Sequence, residues 1–168
     1  MPNSNALRRL KNFDPSRNCF ACGPDHPIGL HMVFETDGSR LFSRLTIPSD
    51  YAGWDGIAHG GIVTAVLDEI MSWSAHHLMR KLILTKSIQA EFLKPVPVEE
   101  PIRAEGWVES VTSDREAVMA SAVYDARERL CARGSGVFAL FTTKAARRMG
   151  VIDERIISGF ERYFESDS

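Results

Sequence analysis

The feature that most constrains this chain is a stretch over residues 60–80 that is apolar on nearly every side of a helix. Ile62, Val63, Val66, Leu67, Ile70, Met71, Trp73, Leu78 and Met79 leave no broad face for water. A helix of that kind is enclosed by its surroundings rather than laid on a surface. The flanking segments show what encloses it. Residues 31–36 and 40–47 read as strands joined through Asp37-Gly38, a dipeptide suited to a tight hairpin. Beyond the helix, Ile88, Ala90 and Phe92 alternate with Ser87, Gln89 and Glu91 until Pro95 and Pro97 end the run. Three further β-rich segments follow at 102–112, 116–127 and 131–143. Their short connections suit antiparallel neighbours, because a parallel pair needs a long crossover. The order β-β-α-β-β-β-β predicts an α+β fold: about six antiparallel strands in one sheet wrapped around one long central helix.

Around that unit, residues 1–30 read as a loosely packed arm (Leu7, Leu10, Phe13) followed by a structured loop rich in proline and glycine. Residues 31–143 form the main domain. Residues 144–168 form a tail, with an amphipathic helix expected from the i, i+4 stripe Ile152, Ile156, Phe160 and Phe164, weakened by Gly159. The chain has 168 residues, within the usual size of one domain, and 20 Lys plus Arg against 22 Asp plus Glu. That balance argues against a nucleic-acid partner. Three cysteines are no disulfide framework. The start, Met1-Pro2-Asn3-Ser4-Asn5, lacks the apolar stretch of a signal peptide. The segment 61–79 is interrupted by Asp68, Glu69, His76 and His77 and makes a poor membrane span. A cytoplasmic protein without membrane attachment is expected.

Two features of the central helix bear on chemistry. Gly60 and Gly61 stand where its first N–H groups lack intrahelical acceptors, so they offer either an oxyanion site or merely a sharp loop-to-helix corner. Asp68 lies on the buried helix in a polar stripe with Thr64, Ser72 and His76. It is either a working carboxylate or half of a structural ion pair. Glu69, about 100° round the helix, is a second acid and more suited to pairing an arginine. Gly60 and Asp68 are about 12 Å apart along one helix. If both serve one site, the carboxylate comes from a second copy of the chain, and a symmetric dimer with two composite sites follows.

The motif HGGIVTAVLDE, from His59 to Glu69, resembles the signature of hot-dog-fold acyl-CoA thioesterases of the phenylacetate-pathway and 4-hydroxybenzoyl-CoA type. CFACGPDHPIGL, YAGWDGIAHGG and FLKPVPV extend the resemblance over residues 19–143. It implies hydrolysis of an acyl-CoA, a homodimer or dimer of dimers, and no cofactor. Carried over, Gly60 offers its N–H to the thioester oxygen and Asp68 of the partner chain acts as nucleophile or general base. Thr85 holds the water and His59 fixes the loop. Gly61, Thr64, Ser72 and Trp54 are expected beside the substrate. The loop Gly53-Trp54-Asp55-Gly56 lacks the amide side chain that completes the oxyanion hole in many members, which leaves the second donor unidentified. That departure supports a rival reading, a non-catalytic acyl-CoA-binding or regulatory domain. A dehydratase of the same fold fits the helix motif less well.

Cys19-x-x-Cys22, with His26 and His31 downstream, falls short of a metal-ligand pattern, so no metal is expected and the loop should bury one thiol. Cys131 reads as core. Arg127, Arg129, Arg133, Lys144, Arg147 and Arg148 are either contacts for coenzyme A phosphates or a solvated face. Trp54, Tyr51 and Trp73 are either acyl-pocket lining or core.

Overall fold

The computed structural model describes residues 7–16 and 18–166; the residues read above as the amino terminus lie outside them. The chain runs through β1 (Arg8–Arg9), β2 (Glu35–Thr36), β3 (Leu41–Thr46), β4 (Ala52–Trp54) and β5 (Ile57–Ala58) to helix α1 (Gly60–Met79). It continues through β6 (Leu82–Phe92), β7 (Pro101–Ser113), β8 (Glu116–Tyr124) and β9 (Leu130–Phe141) to α2 (Thr143–Met149) and α3 (Glu154–Glu165). Seven strands make one antiparallel sheet in the order β1-β2-β3-β7-β8-β9-β6, and β4 and β5 form a separate ribbon. The sheet curls around α1, whose Val66, Leu67, Ile70 and Met71 have no exposed surface. This is the α+β hot-dog arrangement anticipated from the apolar helix, with seven strands rather than about six.

The closeness of sheet and helix is visible at Gly106 on β7. A Cβ there would stand 2.5 Å from Ser74 Oγ and 2.7 Å from the Ile70 carbonyl. Because the obstacle is helix backbone, it cannot swing aside. Gly106→Ala should cost about 1–3 kcal/mol of stability, read from the urea midpoint, with the m-value unchanged.

The arm departs from expectation. Leu10 and Phe13 are buried, not loosely packed. Phe13 meets Trp73 at 5.2 Å and Phe160 at 5.6 Å, edge-on to the latter, so arm, central helix and tail share one aromatic cluster. Gly159, which weakened the tail helix in the sequence, has a physical reason to be there: a Cβ would meet the Phe13 carbonyl at 2.6 Å. The strand expected over 31–36 shrinks to β2. His31 adopts φ 51°, and the Leu30 and Met32 amides bond to Phe20 and Ala21, so this stretch pairs with the loop before it. Helix α2 was not anticipated. Thr142 caps it by accepting from the Ala145 N–H, and Gly150 closes it at φ 64°. Arg147 then joins α2 to Glu154 and Glu161 of α3, both at 2.8 Å.

Candidate active site

The loop-to-helix junction assigns its amides one by one. His59 is the N-cap of α1, and its Nδ1 accepts from the Gly61 N–H at 2.9 Å. The His59 carbonyl takes the N–H groups of Ile62 and Val63. The Gly60 N–H is left without an acceptor among the described residues, at the positive end of a 20-residue helix. Gly60 is exposed, and the Phe92 ring lies 3.5 Å from where its Cβ would be. Phe92 was not singled out in the sequence; it is half exposed and forms an apolar wall beside the free amide.

Asp68 sits two turns further along, half-buried, with Thr85 Oγ donating to its Oδ1 at 2.9 Å. No arginine or lysine pairs with it among the described residues. Burial pushes its pKa above the ordinary carboxylate value; the Thr85 bond opposes the rise and negative potential from Cys19 adds to it. Thr85 reaches Asp68 because of a β-bulge. On β6, Thr85 pairs with Phe138 but Ser87 pairs with Val137, so Lys86 is an extra residue. The bulge switches which alternate residues face the helix. Ile83 and Thr85 do so before it, and Ile88, Ala90 and Phe92 after it.

The other predicted residues separate. Thr64 Oγ donates to the Gly60 carbonyl at 2.8 Å, within its own helix. Ser72 is buried a turn beyond Asp68, and His76 bonds the Lys81 carbonyl at 2.9 Å inside the aromatic cluster. Trp73 is core, whereas Trp54 is 80% exposed on β4. Tyr51 is half-buried, its hydroxyl donating to the Ile28 carbonyl. Glu69 accepts from Cys19 Sγ at 3.6 Å. Cys131 is buried, as expected of core.

Among the basic candidates, Arg129 pairs with Asp125, Arg133 with Glu91 and Arg147 with the α3 carboxylates. Arg148 instead lines a groove of about 730 Å³ with Lys81 and Arg115. That groove contains neither Asp68 nor Gly60.

A long central helix, with a free N-terminal amide and a half-buried carboxylate, held in a curled antiparallel sheet is a hot-dog fold. Residues 55–132 match the model of the thioesterase superfamily. Solved structures agree in fold. A thioesterase superfamily protein aligns with TM-score 0.67 at 24% identity, covering 82% of this chain and 68% of its own. The E. coli PaaI protein from the phenylacetic acid degradation operon gives 0.60 at 13% identity, covering 67% and 81%. Zebra fish thioesterase superfamily member 2 gives 0.61 at 14%, covering 70% and 89%. No curated protein sequence matches. Among the described residues no helix is long and apolar enough to cross a membrane.

Proposed function

We propose that the chain hydrolyses acyl-CoA thioesters at composite sites shared by two copies. The observation that carries this reading is Asp68, a half-buried carboxylate with no arginine or lysine partner among the described residues, oriented by Thr85 on the edge strand β6. Strand β6, 11 residues long, ends the sheet, and the backbone groups on its side away from β9 have no strand neighbour among the described residues. Such an edge is covered by pairing with another chain. Antiparallel pairing of two β6 strands sets Thr85 of one protomer toward the end of the other strand, where the partner subunit's Phe92 accompanies its Gly60.

In that arrangement the thioester carbonyl lies between the Gly60 amide of one protomer and Asp68 of the other. The carboxylate attacks the carbonyl carbon, or takes a proton from a water that does so. The electron pair of the C=O bond moves to oxygen, where the Gly60 N–H and the helix dipole meet the new charge. Collapse re-forms the carbonyl and expels the coenzyme A thiolate, which is protonated by solvent; where Asp68 itself attacked, water then cleaves the resulting acyl–Asp68 anhydride, releasing the free acid and restoring the carboxylate. Exposed Trp54 and Phe92 supply apolar surface for the acyl group.

Thr85 holds the carboxylate without reacting. Thr85→Ala should lower kcat about tenfold, the worth of one hydrogen bond to a charged group, and Thr85→Ser should restore most of it. The overall test is thiol release from a panel of about a dozen acyl-CoAs alongside a binding titration. Binding without release from any of them would favour the non-catalytic reading, which the missing loop amide supports.

A further inference from the structure

We propose that Cys19, Cys22 and Glu69 bind a divalent zinc-type cation that fastens the N-terminal loop to the central helix. The sequence showed only a CxxC pair; the structure adds a third donor from α1, 50 positions away from Cys19. Both sulfurs and a Glu69 carboxylate oxygen lie within 4.8 Å of one another. Donor atoms around tetrahedral zinc stand about 3.5–4 Å apart, so a contraction of roughly 1 Å closes the set.

The backbone is already shaped for a ligated sulfur. The Cys22 N–H points at Cys19 Sγ at 3.5 Å, and the Gly23 N–H bonds the Cys19 carbonyl at 2.8 Å. This turn aims one amide hydrogen at the first sulfur and holds the two cysteines on the same side of the loop. A cleft of about 200 Å³, lined in part by Asn12 and His31, reaches Cys22.

Ligand chemistry selects the ion. Two thiolates discriminate against magnesium and calcium, and the N–H-bonded Cys-x-x-Cys turn with a carboxylate suits zinc. On binding, each thiol releases its proton to solvent and no electrons move. Two thiolates and a carboxylate place three negative charges around a doubly positive ion, and the fourth position is left for water. The role is positional. Glu69 follows Asp68 directly, so a cation there fixes α1 beside the candidate reactive acid. The inference stands independently of the hydrolysis reading.

The test loads the full chain with zinc, removes loose metal on a chelating resin and measures retained metal by mass spectrometry. Cobalt loading is followed by absorbance. One equivalent of zinc per chain and a thiolate-to-cobalt charge-transfer band are expected. Cys19→Ser should lose both, and Glu69→Gln should lose retention with an unchanged circular dichroism spectrum. Cys131→Ser should keep both. Retention by wild type no greater than by Cys19→Ser would overturn the site, as would cobalt bound without a thiolate band. A wild-type chain lighter by a pair of hydrogens and free of metal would also overturn it, in favour of a disulfide.

Discussion

Asp68→Ala is expected to lower acyl-CoA hydrolysis about a thousandfold, as loss of a nucleophile or general base does, while leaving the protein folded. The two halves of that result come from one observation. Asp68 is half-buried and accepts a hydrogen bond from Thr85. Burial disfavours its charged form, so an alanine at that position relieves a cost borne by the native state. The thermal midpoint should therefore stay level or rise as activity disappears. Steady-state thiol release and a melting curve on the same preparation check both. Wild-type turnover in Asp68→Ala would remove the carboxylate from the mechanism. A fall in melting temperature matching the loss of activity would make Asp68 a structural residue.

The second large effect is expected from Gly60→Pro. Proline is tolerated at the first helical position, and its ring removes the N–H that has no acceptor among the described residues. His59 has φ −61° and ψ 136°, the extended conformation a residue before proline requires. The nearest atom to a Cβ at Gly60 is 3.5 Å away, an ordinary contact. The substitution thus deletes a donor with little disturbance, and kcat should fall about a hundredfold or more. Mixing Gly60→Pro chains with Asp68→Ala chains then tests sharing. Random exchange makes half the dimers mixed, and each holds one intact composite site, so about one quarter of wild-type activity should return. Recovery would be absent if each site were built from one chain.

What could be read in advance follows how far apart the cooperating residues are. Helix α1 was legible because its apolar residues recur all round it, and the long strands because alternation and turn residues are local. His59, Gly60 and Asp68 sit in one short motif. The arm was misjudged because the contacts of Phe13 with Trp73 and Phe160 link distant parts of the chain. Helix α2 carried its own signals, Thr142 and Gly150 around good helix formers, but is only 7 residues long. Phe92 beside Gly60 and Glu69 beside Cys19 depend on how the sheet curls and the loop folds back, which no spacing in the sequence specifies.

The extra residue on β6 has a consequence for how such a chain can change over time. With Lys86 present, the strand offers a hydroxyl to the acid at one end and an apolar row at the other, all on one side. Removing a single residue there would turn one of those groups outward, whereas exchanging Lys86 for another side chain would not. Descendants of this sequence can therefore vary in spelling along the strand, but a change of length by one unit breaks its meaning.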